Sequence, residues 1–313
     1  MADLVAGPVG VRVPASSANL GPGYDALGLA LALHDHVTAE VVDAPAGSVH
    51  VEVVGEGTGS VPTDESHLVH RALLRGLDVL GVTAPALALR CHNAVPHGRG
   101  LGSSSAAIVA GLGLARALVP PAGEHWSDLD LFRVAAEIEG HPDNVAPAAL
   151  GGLTVAWASG GTHDAVRLEV APEPVFVVLV PPEPLATVVA RGLLPADVPH
   201  ADAAHAAGRA ALLVACLGTG PAGIDDWRGR VLAATEDRLH QSYRAPAMPE
   251  SIDLVDRLRA DGVAAVVSGA GPTVLAVVEP GEVEAVVATS PDGWWARRLE
   301  VDGAGLVTTV PPE

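Results

Sequence analysis

Polar and apolar residues alternate through residues 36–42 and again through 50–54, and each stretch predicts a half-buried strand. Residues 9–13 read as an earlier strand followed by a loop over 14–25, and Ala44-Pro45-Ala46-Gly47 supplies a turn between the two alternating stretches. Over 64–80 the period changes: Leu68, Ala72, Leu73 and Leu77 make a helical stripe that Gly81 ends. Residues 87–95 predict a strand that runs into a Gly/Ser loop. The helix after it, about 104–118, is apolar on nearly every face, which marks a buried central helix stopped by Pro120-Pro121. A second helix follows Glu124 and reaches about Glu139.

Downstream, Gly151-Gly152 and Gly160-Gly161 frame a strand at 153–158, and 175–180 is another. Helices are expected at about 201–217, 228–240 and 250–260, and strands at 263–268 and 273–278 flank Ser268-Gly269-Ala270-Gly271-Pro272. A boundary between an N-terminal domain, 1–160, and a C-terminal domain, 165–313, is placed where Gly, Thr and Pro punctuate residues 159–173. This mixed order does not fit the regular strand–helix alternation of a doubly wound parallel sheet.

The loop at 96–106 joins a strand to an apolar helix through Pro96, His97, Gly98, Arg99, Gly100, Leu101, Gly102, Ser103, Ser104, Ser105 and Ala106. Glycines let backbone approach an anion, the first amides and the positive dipole end of the helix hold it, and serine hydroxyls are free to reach a metal. A phosphate of a nucleotide is the expected ligand. The loop is not a Walker A motif, which requires a Lys; all 18 basic residues of this chain are Arg. The absence of Lys also excludes Schiff-base chemistry.

Residues 137–147, EIEGHPDNVAP, crowd polar groups into an apolar stretch. Pro142 prevents helix continuation, so His141, Asp143 and Asn144 are expected to project from a turn. Among the arginines, Arg191 is the one charge in TVVARGLLP, and Arg238 and Arg244 surround a helix end in EDRLHQSYRAPAMP. Arg suits bidentate pairing with a carboxylate, and Asp or Asn suits an ammonium group.

Composition narrows the classes. The 313 residues, 49% of them hydrophobic, with 35 Gly and 26 Pro, suit a loop-rich α/β or α+β protein large enough for two domains. A formal charge of -19 argues against nucleic acid or an anionic membrane as partner. Cys91 and Cys216 form no metal-binding spacing, which reads as two buried thiols in a reducing, cytoplasmic protein. No apolar run is long enough to predict a membrane span.

The loop text PxxxGLGSSxA, residues 11–31 (VRVPASSANLGPGYDALGLAL) and residues 266–278 (VVSGAGPTVLAVV) together resemble the three motifs of the GHMP small-molecule kinases, in the family's order and across nearly the whole chain. The resemblance implies a two-domain α+β fold with ATP on the loop of the first domain and the substrate cleft between domains. EGHPDNVAP is similar to the branch of that family that phosphorylates the side-chain hydroxyl of L-homoserine on the way to threonine; mevalonate- and galactose-type relatives carry different text there. On that resemblance Asn19, Asp25, His141, Asn144, Arg191 and Arg244 are substrate ligands, the two arginines for the carboxylate. Ser104 and Glu139 hold Mg2+, with Glu137 as the rival carboxylate. Asn144 orients the hydroxyl, and Asp143 is the alternative as a general base. Two departures stand out: Ser105 replaces a common Ala, and His67 stands where the family often has Asn near adenine. A homodimer is the one macromolecular assembly this reading admits.

Overall fold

A computed structural model describes residues 4–120 and 125–309; Pro121 and Glu124, named above as helix boundaries, lie outside these. The long strand β2 (Leu27–Val41) organises the first layer. Its inward side chains Leu29, Leu31, Val37 and Ala39 are buried, and it pairs antiparallel with β1 (Val9–Ala18) along nearly its whole length, with an irregularity between Pro14 and Ala15. The other edge of β2 is shared: its C-terminal half pairs with β4 (Leu87–Asn93), and its start pairs with β5 (Leu153–Ser159). Strand β3 (Val49–Gly55) is parallel to β4, the strand β6 (Thr162–Leu168) forms a hairpin with β5, and β11 (Val307–Thr309) pairs with β1. These seven strands make one sheet.

Helices α1 (Leu68–Val79), α2 (Ser103–Leu118), α3 (Asp128–Glu139) and α4 (Val145–Leu150) contribute to one core with that sheet. Helix α2 buries Ile108, Val109, Leu112 and Leu114 completely, as expected of a helix without a polar face. The second layer is an antiparallel sheet, β10-β7-β9-β8, built from β7 (Val175–Val180), β8 (Ala264–Val267), β9 (Val274–Val278) and β10 (Trp295–Leu299). Strand β7 is buried on both faces. Phe176, Val178 and Val180 pack with Leu29 and Leu31 of the first sheet, while Val175, Val177 and Leu179 pack with Leu254 and Leu258 of α9 (Pro249–Ala260). One strand thereby joins the two layers. The remaining helices are α5 (Thr187–Gly192), α6 (His200–Thr219), α7 (Trp227–Ala234), α8 (Gln241–Arg244) and α10 (Val283–Val287).

Several expectations differ from this architecture: the loop expected over 14–25 starts only after Ala18, because β1 continues past Pro14 in its pairing with β2, and the strand expected at 36–42 begins at Leu27. The boundary placed at 159–173 contains β6, whose hairpin with β5 belongs to the first sheet, so glycines there mark a hairpin turn rather than a linker. The helix expected at 228–240 stops at Ala234, because the Thr235 hydroxyl bonds back to the Val231 and Leu232 carbonyls and the Asp237 carboxylate then caps a separate turn. The helix expected from residue 64 starts at Leu68; Asp64 instead accepts the amide and hydroxyl of Ser66 in a turn.

Candidate active site

The Gly/Ser loop leaves β4 over a buried carboxylate. Asp35 Oδ1 accepts the amides of Ala94 (2.7 Å) and Val95 (2.9 Å), and burial, opposed by those two bonds, pushes its pKa up to about 6. Close contact in a left-handed backbone then favours glycine at two positions. A Cβ on Gly100 (φ 77°) would meet the Ser268 carbonyl at 2.2 Å, and one on Gly102 (φ 70°) would meet Ser16 Oγ at 1.9 Å. Gly102 precedes α2 without a side-chain cap, which leaves the first amides of a 16-residue helix to face an anion. The Ser268–Pro272 segment carries the loop from beneath: Ser268 Oγ donates to the Gly100 carbonyl, and Gly269 N donates to Ala18 O at 3.0 Å.

Helix α3 delivers the acid. A capping box between Ser127 and Asp130 starts it and Gly140, at φ 85°, ends it, so Glu139 stands on the last turn facing α2. Glu139 Oε1 accepts from Ser104 Oγ (2.6 Å) and Ser105 Oγ (3.0 Å). Glu137, two residues back and hence on another face, is 3.9 Å from Arg75 and does not line the cavity. The hydroxyl and carboxylate oxygens of Ser104 and Glu139 are hard donors of the kind Mg2+ takes.

Opposite them lie the remaining polar residues. Arg191 holds Asp25 through Nη2–Oδ1 (2.7 Å) and Nη1–Oδ2 (3.2 Å) and donates to Tyr24 Oη at 3.0 Å. Arg244, only 1% exposed, donates to the Gly269 carbonyl and to His240 Nδ1, each at 3.1 Å, and has no carboxylate partner among the described residues. The Tyr24 ring lies 5.8 Å from one guanidinium and 5.6 Å from the other. Asn19 donates to Gly269 O (2.8 Å) and accepts from Asp25 N (2.9 Å), so both ends of its amide are engaged within the protein. Asn144 Oδ1 accepts from Ser16 Oγ (2.9 Å). The buried Asp143 bonds His141 Nδ1 at 2.9 Å; burial works against the imidazolium, but the Asp143 bond and charge outweigh it and raise the His141 pKa.

Two cavities meet at Ser103 and Ser104. One, about 160 Å³, is lined by Gly102, Glu139, Asn144, Arg191 and Arg244 among others. Its neighbour, about 260 Å³, is largely apolar, with Val37, Val61, Leu68 and Val69 on its walls and Asp35, His67 and Asn93 as polar edges. A slot of that character suits a planar base, and the polar chamber beside it suits a small charged molecule.

Comparison with known proteins gives the family. Residues 67–152 match the model for the GHMP kinases N-terminal domain and residues 226–289 the model for the GHMP kinases C-terminal domain. A homoserine kinase of Streptomyces avermitilis is 52% identical over 300 residues, covering 96% of this chain and 95% of that protein. The chain belongs to the GHMP kinase family. A homoserine kinase of Streptomyces coelicolor is 51% identical over 306 residues, with 98% and 96% coverage. In fold, the chain is similar to the crystal structure of homoserine kinase from Cytophaga hutchinsonii, with a TM-score of 0.82 at 24% identity over 96% of this chain and 97% of that one.

In this GHMP kinase the loop residues divide by role. Gly98, Gly100, Gly102, Ser103 and Ser104 face the polar chamber, and His97 and Ala106 face the apolar slot. Leu101 is buried in the core, Ser105 is buried against Glu139, and Pro96 turns towards another surface cavity. The Arg99 guanidinium is directed away from the chamber, onto the carbonyls of His97, Pro181 and Pro182. Asn19, His141, Asp143, Asn144, Arg191, Arg244 and Glu139 all line one chamber, and Asp25 reaches its edge through Arg191. Arg238, the rival to Arg244, pairs with Asp202 on the surface. Ser16 and Tyr24 have no signal of their own in the sequence, although both stand in the segment 11–31 that carries a family motif. His67 is 5% exposed on the wall of the slot, and its Nδ1 is buried without a partner.

Proposed function

We propose that the chain transfers the γ-phosphoryl group of ATP to the side-chain hydroxyl of L-homoserine, giving O-phospho-L-homoserine and ADP, a step towards threonine. The observation that carries this is the chamber beside the Gly/Ser loop: it holds a buried guanidinium without a carboxylate, Arg244, and an Arg191–Asp25 pair, a charge set complementary to a small zwitterion. Curated relatives about half identical over nearly their full length are named homoserine kinase. A mevalonate-type acceptor lacks the ammonium that Asp25 would receive.

Each residue has a task in this reaction. Arg244 and Arg191 take the carboxylate, and Asp25, held in place by Asn19, takes the ammonium. Asn144, fixed through its Oδ1 by Ser16, offers its amide nitrogen to the hydroxyl and orients it for in-line attack. The new O–P bond forms as the bond to ADP breaks, and the hydroxyl proton passes to a phosphoryl oxygen. Asp143 is engaged with His141 and acts as a structural carboxylate rather than a base. The α2 amides stabilise the phosphates, with Ser104 and Glu139 as holders of Mg2+, which when bound neutralises phosphate charge. His67, Val61 and Leu68 enclose the base. ADP release measured with homoserine, mevalonate, shikimate and galactose tests the assignment: turnover confined to homoserine is expected, and turnover with mevalonate but not homoserine refutes it.

A further inference from the structure

Behind the substrate chamber lies a histidine that no step of the reaction uses. The Asp237 carboxylate accepts the amides of Leu239 (2.8 Å), His240 (3.1 Å) and Gln241 (2.7 Å), which starts α8 and sets His240 and Arg244 one turn apart, where i and i+4 side chains meet. His240 is fully buried. Its Nε2 is 2.8 Å from the Gly21 carbonyl, a group that only accepts, so Nε2 carries the proton and Nδ1 is left as an acceptor, 3.1 Å from Arg244 Nη1. The Tyr24 ring closes the other side, 5.5 Å from the imidazole.

The contrast with Arg191 is chemical. Arg191 is held by a carboxylate, which neutralises it; Arg244 is held by a ring nitrogen and the Gly269 carbonyl, which orient it and leave its charge unmatched. A second acid in place of His240 would close Arg244 into an internal ion pair and leave an incoming carboxylate nothing to neutralise. Burial lowers the pKa of His240, and Arg244 adds to that effect against the Asp237 carboxylate, so the ring is neutral at physiological pH.

Resting on the reading of this chamber as the amino-acid subsite, we infer that His240 is a positioning residue for carboxylate recognition: in its neutral Nε2–H tautomer it aims Arg244 at the substrate without neutralising it. The consequence is selective for one kinetic parameter. Asn in this place keeps an acceptor near the Nδ1 position, whereas Gln keeps only the donor near Nε2 that faces the Gly21 carbonyl and Ala keeps neither. His240→Gln and His240→Ala should raise the KM for homoserine about ten- to a hundredfold with the KM for MgATP and kcat little changed, and His240→Asn should recover most of the loss.

Equal homoserine KM in the Asn and Gln variants, or a parallel loss in every parameter, would overturn the role. The wild-type protein gives a second test that needs no variant to fold. Nitrogen NMR of histidine-labelled enzyme should find His240 Nδ1 unprotonated at about pH 7 to pH 9. A proton on Nδ1 contradicts the inference. Failure of the wild-type enzyme to use homoserine would remove the substrate reading instead, and the tautomer measurement distinguishes the two cases.

Discussion

Arg191 and Asp25 are each other's counter-ion, joined by bonds of 2.7 and 3.2 Å across 166 residues of chain. On the proposed reading each binds the opposite charge of the substrate, and a zwitterion would replace both halves of the contact. The arrangement avoids leaving a half-buried acid and base uncompensated. On that reading the ammonium group of the substrate is what releases Arg191 from Asp25.

The first prediction follows from that exchange. Asp25→Asn should reduce kcat/KM for homoserine by about 2–5 kcal/mol, roughly thirty- to several-thousandfold, because the ammonium loses its partner and Arg191 its restraint. The preference of the wild-type enzyme for homoserine over γ-hydroxybutyrate, which lacks the amine, should largely vanish in the variant. Competition kinetics with both acceptors would check this, and an unchanged preference would place the ammonium elsewhere.

Glu139 and Glu137 separate on a single helix. Glu139→Gln should lower kcat by about 10²-fold or more by weakening metal binding, whereas Glu137→Gln, at an exposed acid 3.9 Å from Arg75, should be close to wild type. Titration of Mg2+ against turnover in the two variants distinguishes a metal ligand from a surface charge.

These acids illustrate what the sequence discloses and what it hides. The helices of 68–79 and 103–118 announce themselves by their apolar stripes, and the glycines of 98–102 by their spacing, since both signals are local. Which of two acids in EIEG faces Ser104 depends on where α3 ends in space, and the family text alone leaves both open. The direction of Arg99 is equally hidden, because the Pro181 and Pro182 carbonyls that accept from it are 82 and 83 residues away in sequence. Strand β6 carries four polar or charged residues among its seven and pairs at the sheet edge, so it lacks the apolar alternation that marks β2. Tyr24 and His240 touch Arg191 and Arg244 and do not themselves line the chamber, so no site chemistry in the sequence marks them.

Gly102→Ala places a methyl group in a left-handed backbone and against Ser16 Oγ. A loss of stability of at least about 1–2 kcal/mol is expected, together with weaker MgATP binding, as Ser16 moves and releases Asn144. Thermal melts with and without nucleotide should show both effects; a normal nucleotide-induced shift would separate the loop from phosphate binding.

His141 supplies a pH dependence. Its proton is held more tightly in the fold than in the unfolded chain, so the Asp143 contact contributes stability that is fully present below about pH 6.5 and is lost as pH rises through the raised folded pKa. Asp143→Asn should remove that loss and leave any acidic limb of the rate profile in place. Denaturant melts between about pH 5 and pH 9 test the first part, and turnover at saturating substrates tests the second. Disappearance of the acidic limb in Asp143→Asn alone would make Asp143 the general base.

The central claim is that this chamber phosphorylates homoserine on its side-chain oxygen. Phosphorus NMR of a reaction containing the enzyme, MgATP and L-homoserine tests it most directly. The account predicts a phosphomonoester whose phosphorus couples to the side-chain methylene next to oxygen, appearing in step with ADP. ADP accumulating with inorganic phosphate alone, or a product phosphorylated on the carboxylate, would contradict it.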